Sequence, residues 1–524
     1  MAYGTKYYQF IWFIYSAKNN KMPTTALLNV KYGIVSQIIK ILLQFVVRRT
    51  FIYYIGVELL GVHSLFTSIL SMLAMTELGV GSAIAFSLYG PLAQNNTSKV
   101  AAIMCLFRKV YRVIGIIILL AGCALLPFVP DIVNTAEEIP YLEVMFFIVL
   151  LKTSLTYLLF AYSQTLLIAA ECKYKVDKII SIFNIVTSLG EILIIVLTQN
   201  FILYLLVEMV CLISQQYLIY RKTCRQFPEE MSMRDAKLSK SEKRGIWKNV
   251  YGLSITKISG AVLGSIDSII ISVFISTTIV GYFVNYSLVQ TAATTIISIS
   301  FTSVTANVGR KFAERAITQS HFYLMFFMNF IICGTCTILY SVLINDFIAL
   351  FFGKNLLLSF DVVCAISLNM FVTYMSLSIQ VFKDASGIFW YGKYRPLATC
   401  ILNVVFSLLL VEPLGIAGVV LATVISRILT TFWYDPMLVF KYAFNGGLKK
   451  YYLTYSYYFL LTSITMIVLA MIFNISIFDE ITITHFIYKI LITISVIVSL
   501  FYIGTIHSKV AQQSLSIIKN IIHK

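Results

Sequence analysis

Apolar runs of about 20 residues recur along the whole chain, and this feature restricts the fold more than any other. The 524 residues are 59% hydrophobic and 12% charged, with a mean hydropathy of +0.86, whereas soluble domains are roughly 45–50% apolar and about 25% charged. Each run is long enough to cross a bilayer, where a helix satisfies its own backbone hydrogen bonds. We therefore predict an all-α integral membrane protein.

The runs predict about 14 transmembrane helices. They lie near residues 26–49, 61–89, 109–129, 141–168, 177–198, 200–220, 248–273, 278–302, 321–346, 359–381, 396–411, 415–440, 452–474 and 482–504. No cleavable signal peptide is evident. The short aromatic run at 7–15 is expected either to form an interfacial helix or to precede a true start at Met22.

Basic residues predict the orientation. If the N-terminus is cytoplasmic, most of the 40 Lys and Arg residues fall in cytoplasmic loops and tails, and the outer loops contain only Arg48, Arg49 and Lys354. The positive-inside rule then places both termini in the cytoplasm. The same asymmetry explains the net charge of +17, because basic loops lie against an anionic leaflet. No basic patch with interleaved aromatic residues indicates a nucleic-acid partner.

A polar strip follows one face of the first predicted span. Gln37, Lys40, Gln44 and Arg48 are separated by three or four positions, so a helix places them on one side. A charge at the bilayer centre costs at least ~2.5–3.5 kcal/mol on insertion scales and is tolerated beside a partner or a water-filled cavity. We therefore expect the strip to line such a cavity.

Further charges lie deep in other spans. The cations are Lys152, Lys257 and Arg427, and the acids are Glu77, Glu191, Glu208 and Asp267. Snorkelling to the interface suits Lys31 and Arg49 but not the deeper cations, which leave an excess of positive charge in the interior. That excess would attract a phosphate group. The candidate substrate-binding residues are Lys40, Arg48, Lys152, Lys257 and Arg427.

Two acids are candidates for coupling or gating. Glu77 is followed closely by Gly79 and Gly81, which permit a bend, and it is expected to be either a coupling acid, a partner of Lys40 or a static packing residue. The sequence around the first span partly recurs around the seventh, as described below, and in this internal repeat Asp267 occupies a place near-equivalent to that of Arg48. We expect the two residues to act as a gate pair. Glu191 and Glu208 are expected to be structural partners within the first bundle.

The internal repeat predicts two related halves. LLGVHSLF at 59–66 parallels IVGYFVNY at 279–286, an offset of 220 residues. Such repeats are typical of transporters built from two pseudo-symmetric bundles. The predicted organisation is an N-terminal segment at 1–25, a six-helix bundle at 26–220 and a cytoplasmic linker at 221–247. A second six-helix bundle follows at 248–440, and two extra helices with a cytoplasmic tail lie at 441–524.

Neither a metal nor a cofactor is expected. The five His residues form no ligand pattern, and the Cys333-x-x-Cys336 pair lies in an apolar run without further Cys or His nearby. No nucleophile or nucleotide-binding motif is present, and the predicted outer loops are short. These features disfavour an enzyme such as a membrane polysaccharide polymerase or ligase, which remains an alternative of a different class.

Three long stretches resemble one protein family. They are FVVRRTFIYYIGVELLGVHSLFTSILSMLAMTELGVGSAIAFSLYGPLA at 45–93, GSIDSIIISVFISTTIVGYFVNYSLV at 264–289, and SGIFWYGKYRPLATCILNVVFSLLLVEPLGIAGVVLATVISR at 386–427, followed by FWYDPMLVFKYAF at 432–444. They are similar to the polysaccharide-biosynthesis flippases of the multidrug/oligosaccharidyl-lipid/polysaccharide exporter superfamily. The resemblance covers about residues 28–505.

The resemblance implies a transporter of the bacterial inner membrane. It would move an undecaprenyl-pyrophosphate-linked oligosaccharide to the outer leaflet by alternating access, among membrane lipids. Coupling to H⁺ or Na⁺, and association with glycosyltransferases or a polymerase of the same pathway, are left open. The alternatives within the superfamily are a drug–cation antiporter, which would need an acidic interior, and a lipid II flippase.

Overall fold

The computed structural model describes residues 24–77, 80–232, 238–313, 318–386, 388, 392, 394–444, 446–474 and 481–514. The aromatic run at 7–15 lies outside these residues. The described residues form helices joined by short loops, without strands. They divide into two compact units, Lys21–Gly281 and Tyr282–Lys524, which we call the first and second units.

The first unit contains eleven helices and the start of a twelfth. They are α1 (Thr24–Tyr54), α2 (Val57–Leu73), α3 (Val80–Ala93), α4 (Thr97–Leu125), α5 (Val129–Ile132), α6 (Leu142–Leu159), α7 (Ala161–Ala169), α8 (Lys173–Thr198), α9 (Phe201–Gln226), α10 (Pro228–Ser232), α11 (Lys240–Phe274) and α12 (Thr277–Ala313). A 3₁₀ turn over Ala74–Glu77 follows α2. Asn96 and Asn200 begin α4 and α9, because their side chains accept hydrogen bonds from first-turn backbone N–H groups.

The second unit continues with the rest of α12 and seven further helices. They are α13 (Gln319–Phe351), α14 (Phe360–Met375), α15 (Leu377–Ala385), α16 (Arg395–Leu429), α17 (Thr431–Tyr442), α18 (Leu448–Phe473) and α19 (Ile483–Thr505). Helix α16 is interrupted at Gly415, where φ is 56° and ψ is −135°. Only glycine adopts this conformation readily, so the interruption separates the predicted spans 396–411 and 415–440.

The fold class is confirmed. Each predicted span lies on one helix, on part of one helix or on consecutive helices of the structure, and nine continuous helical segments of the described chain are long and apolar enough to cross a membrane. Shorter apolar helices lie at Val57–Leu73, Ile84–Ala93 and Ile258–Phe274. The orientation of the termini and the boundaries between the two bundles stay predictions.

Two spans are broken near their middle, and polar side chains satisfy the freed backbone groups. Between α14 and α15, the Asn329 side chain donates to the carbonyl oxygens of Tyr374 and Met375, both at 3.0 Å. After α6, the Ser163 hydroxyl donates to the carbonyl of Phe160, the residue at the break, at 2.8 Å. Lipid offers no hydrogen bonds, so a broken helix is tolerated where neighbouring helices supply them.

The predicted linker at 221–247 is partly helical. It contains the end of α9, the short α10 and the start of α11. Ser239 and Glu242 form a capping box at the start of α11, and Lys99 Nζ lies 2.8 Å from Glu242 Oε1. The hydrogen bond from Lys99, together with those from Ser239, lowers the pKa of Glu242 to about 2.

Aromatic packing holds the last two long helices in the second unit. The Tyr458 ring of α18 stacks on the Phe330 ring of α13 with centroids 4.2 Å apart. The Phe501 ring of α19 lies 4.7 Å from the Phe330 ring, centroid to centroid. Gly334 leaves room for Phe501 on α13. These contacts place both helices that the sequence predicted as extras against α13.

Buried charges in the second unit are paired. Asp435, 1% exposed, accepts from Lys383 Nζ at 2.8 Å and from Arg395 Nη1 at 2.6 Å. Lys489 of α19 donates to Asp346 of α13 at 2.7 Å. Such pairs offset the cost of placing each charge in a poorly solvated environment.

Removing the Asp435 carboxylate is expected to destabilise the protein strongly. Asp435→Ala leaves Lys383 and Arg395 buried without their carboxylate, and breaking a buried ion pair costs about 3–5 kcal/mol. The melting temperature of the purified protein in detergent measures the loss. Asp361→Ala, at an exposed acid in the first turn of α14, is the control. Equal melting temperatures for the two variants would contradict the assignment.

Candidate functional site

A polar cavity of about 290 Å³ lies in the first unit, among α1, α2, α8 and α9. Its wall combines charged, amide, hydroxyl and aromatic side chains. The lining residues are Lys40, Leu43, Gln44, Val47, Arg48, Phe51, Leu60, His63, Asn184, Thr187, Ser188, Glu191, Tyr204, Glu208, Leu212 and Gln215. A cavity with this lining can bind a charged or hydroxyl-rich group.

The polar strip of α1 supplies one side of the wall. Lys40, Gln44 and Arg48 line the cavity, whereas Gln37, the fourth member of the strip, does not. Their four-residue spacing places them on successive turns of one helix face. Lys40 is exposed, and within the described chain no carboxylate lies at ion-pair distance from it.

Glu208 joins three helices at the side of the cavity. Its Oε1 lies 2.8 Å from Lys152 Nζ of α6, and its Oε2 lies 3.3 Å from His63 Nε2 of α2. The prediction that Glu208 is a structural partner within the first bundle agrees with this geometry. Lys152, a predicted phosphate ligand, is therefore held by a carboxylate in this conformation.

The wall is more acidic than the sequence predicted. Glu191 of α8, which is buried, and Glu208 line the cavity together with Lys40 and Arg48, so carboxyl groups and cations are equal in number on its surface. Tyr204 packs between Phe51 and His63, with ring centroids 5.2 and 5.8 Å away. The cavity thus has mixed charge, and an incoming anion competes with two carboxyl groups.

The other predicted site residues lie elsewhere. Asp267 is half-buried on α11, and the side chain of Lys257 on the same helix lies outside the described part of the structure. Arg427 lies in the second unit, in the wall of a small cavity of about 10 Å³ that Asp435 also lines. The structure brings Lys40, Arg48 and Lys152 to one region of the first unit. The proposed Arg48–Asp267 gate pair stays a prediction.

Glu77 lies at the break between α2 and α3. The Tyr111 hydroxyl of α4 donates to its Oε1 at 2.5 Å, and Gly81 leaves the room for this contact, because an added Cβ would lie 3.2 Å from the same oxygen. The partner seen here is thus Tyr111. Gly79 and Gly81 were expected to permit a bend; the chain leaves the α-helical conformation in the 3₁₀ turn over Ala74–Glu77, and residues 78–79 lie outside the described structure.

Several wall residues were not predicted although the sequence carries a signal for them: Tyr204 and Gln215 on α9, and Asn184 and Thr187 on α8. Tyr204 lies four positions before the predicted acid Glu208 and Gln215 seven after it, and Asn184 and Thr187 lie seven and four positions before the predicted acid Glu191. The spacing that marked the α1 strip therefore occurs on two more helices. His63 was considered only as a metal ligand, and its contact with Glu208 has no counterpart in the local sequence.

No family model and no curated protein sequence matches the chain. Solved structures do match. The lipid II flippase MurJ in an inward closed conformation is 15% identical, with a TM-score of 0.67 over 90% of this chain and 98% of that chain. An inward-facing multidrug resistance MATE family transporter of the MOP superfamily is 12% identical, with a TM-score of 0.61 over 78% and 96%.

The chain has the fold of these transporters. A third similar structure is a MOP superfamily transporter from Pyrococcus furiosus, described as having a binding pocket of reverse polarity that suggests a different function; it is 14% identical, with a TM-score of 0.54 over 80% of this chain and 98% of that chain. The fold agrees with the superfamily predicted from the sequence. At these identities the likeness concerns the fold, and the chemistry of the site has to be argued from its residues.

The Lys152–Glu208 pair can be tested by a double-mutant cycle. Lys152→Met and Glu208→Gln are each expected to cost about 3–5 kcal/mol, because each leaves an uncompensated charge within the helical bundle. The double variant should lose less than the sum of the two, with a coupling of about 0.5–3 kcal/mol. Unfolding midpoints in detergent measure all four proteins. Additive losses would show that the 2.8 Å contact contributes no coupling.

Proposed function

We propose that the protein is a flippase that moves a polyprenyl-pyrophosphate-linked oligosaccharide from the cytoplasmic to the outer leaflet. The prenyl tail stays in lipid while the head group passes through a polar path by alternating access. This function needs a path with hydroxyl-binding and phosphate-binding groups within a bundle of membrane-spanning helices. The cavity of the first unit provides both kinds of group.

The placement of Lys40 and Arg48 carries the proposal. The two cations lie two helical turns apart on one face of α1 and line the same cavity. Arg offers a planar fork that matches a phosphate oxygen pair, and Lys offers a mobile point charge. Their Cα atoms lie roughly 12 Å apart along the helix, so a diphosphate contacts both when the two long side chains extend toward it from either end. Gln44 lies between them, and Asn184 and Gln215 provide amide groups on the facing helices.

The carboxyl groups of the wall fit a cycle of binding and release. In the present conformation Lys152 neutralises the Glu208 carboxylate. It can therefore reach a phosphate only by releasing Glu208. Once Lys152 turns to a phosphate, the freed Glu208 carboxylate repels the bound anion and favours its release, because like charges repel. In the proposal, Lys40 and Arg48 bind first, and Lys152 contributes when Glu208 turns to His63.

The remaining predicted residues have roles along the same path. Lys257 and Arg427 extend the cationic surface, Asp267 acts with Arg48 at the exit, and Glu77 is a coupling acid for H⁺ or Na⁺. A diphosphate that moves outward also runs down an inside-negative potential, worth ~2.3 kcal/mol per charge per 100 mV. The proposal places the protein in a bacterial inner membrane beside the glycosyltransferases that assemble its substrate.

Two rivals within the superfamily are each favoured by one observation. The similarity to MurJ, with a TM-score of 0.67, favours a lipid II flippase, which would use the same phosphate-binding groups. Glu191 and Glu208 in the cavity wall favour a drug–cation antiporter. Complementation of strains that lack each activity separates the three. A polymerase or ligase is the rival of another class and requires sugar-bond formation by the purified protein.

Removing the α1 cations is expected to slow head-group translocation. A hydrogen bond to a charged group contributes about 1.5–3 kcal/mol, so Lys40→Ala and Arg48→Ala should each lower the rate roughly ten- to hundredfold. The measurement is the accessibility of a lipid-linked oligosaccharide to an impermeant reagent in vesicles containing the purified protein.

Two neighbouring cations on α1 serve as matched controls. Lys31 and Arg49 are exposed and do not line the cavity, so Lys31→Ala and Arg49→Ala should keep near-normal rates. Normal rates in Lys40→Ala and Arg48→Ala would refute the phosphate-binding role. Equal losses in all four variants would point to a general effect of charge on insertion.

A further inference from the structure

Two glycines of the internal repeat make reciprocal contacts with backbone carbonyl groups. A Cβ added to Gly61 of α2 would overlap the carbonyl oxygen of Thr277 and lie 3.0 Å from the Gly281 nitrogen. A Cβ added to Gly281 of α12 would overlap the carbonyl oxygen of Val57. The two helix backbones therefore touch directly, and neither position can accept a side chain without moving the other helix.

The four residues are paired by the repeat itself. Val57 and Thr277 are 220 positions apart, as are Gly61 and Gly281, and this is the offset of the repeated motif. Gly61 contacts Thr277, and its repeat equivalent Gly281 contacts Val57, which is the repeat equivalent of Thr277. Such reciprocity arises only where two equivalent segments meet on a pseudo-twofold axis. Glu58 and Thr278, another pair with the same offset, lie 3.5 Å apart between Oε1 and Oγ1.

Hydrogen bonds from a third segment close the same region. The Thr277 N–H donates to the Asn134 carbonyl at 2.7 Å, and the Asn134 N–H donates to Thr277 Oγ1 at 2.9 Å. Asn134 Nδ2 also donates to the Ile275 carbonyl at 3.2 Å, and Ser272 Oγ donates to the Ile132 carbonyl at 2.9 Å. We call Val57–Gly61, Ile132–Asn134 and Ser272–Gly281 the outer seal, because all three are predicted to lie at the outer face.

We infer that the outer seal is the gate through which the head group leaves, and that Gly61 and Gly281 are the residues that let it close. The inference rests on the proposed function in that it assumes an outward-opening step. The seal suits such a step because its hydrogen bonds join the exposed Asn134 to the segment that contains the buried Ser272 and Thr277, and water that enters when the segments part can replace them. When the seal opens, the two glycines give up only close contacts between helix backbones and no side-chain packing. The closed and open states can therefore be close in free energy.

Accessibility of the seal tests the inference without any substrate. In a background whose nine cysteines are replaced, Thr278→Cys is labelled in intact cells or oriented vesicles with an impermeant maleimide from the outer side. Adding Gly61→Ala or Gly281→Ala should raise the labelling rate by about tenfold or more, the effect of a ~1.4 kcal/mol shift toward the open state. Gly90→Ala, where an added Cβ meets nothing within 4 Å, should leave the rate unchanged.

A cross-link tests the gate independently of the glycine variants. Glu58→Cys with Thr278→Cys, joined by a short bifunctional thiol reagent, should stop head-group translocation, and reduction should restore it. Asp346→Cys with Lys489→Cys, whose native side chains lie 2.7 Å apart in the second unit, is the control pair and should cross-link without stopping transport.

The possible results distinguish a failure of the gate inference from a failure of the proposed function. An unchanged labelling rate in both glycine variants, or transport at full rate by the protein cross-linked across Glu58 and Thr278, overturns the gate. Faster labelling in a protein that moves no lipid-linked oligosaccharide supports the gate and overturns the proposed function instead.

Discussion

The cost of placing a charged side chain among apolar helices determines how this protein is arranged. Several kcal/mol are lost when such a charge lacks a partner, and three groups of ion pairs in the described chain offset that cost. Asp435 lies against Lys383 and Arg395, Asp346 against Lys489, and Glu208 against Lys152. Each pair joins different helices, so the ion pairs also fix which helices are neighbours.

Lys40 departs from this pattern. It lies on the polar face of α1, beside a cavity rather than beside a carboxylate, and Arg48 lines the same cavity two turns later. A cation kept at that depth needs a solvated or ligand-bound environment to be tolerated. The proposed function assigns this cation to an anionic head group, which would compete there with Glu191 and Glu208 of the same wall.

Most of the helices could be predicted from the pattern of apolar residues along the sequence, whereas the residues of the candidate site could be predicted only in part. Apolar runs fixed the helices because lipid permits few alternatives, and the polar strip of α1 correctly marked one wall of a cavity. The pairing of Lys152 with Glu208 and His63 could not be predicted, since it depends on which helices pack together. The mixed charge of the wall could not be predicted for the same reason: Glu191 and Glu208 lie on α8 and α9, and only the packing of these helices against α1 brings their carboxyl groups to the cations.

Recognition of a diphosphate by the cavity beside α1 is the proposal on which the others depend. It is tested most directly by binding of a short-chain prenyl diphosphate to the purified protein in detergent, compared with the matching prenyl alcohol. We expect saturable binding of the diphosphate that weakens as salt rises and is lost in Lys40→Ala/Arg48→Ala. Equal binding of diphosphate and alcohol, or unchanged binding by the double variant, would contradict it.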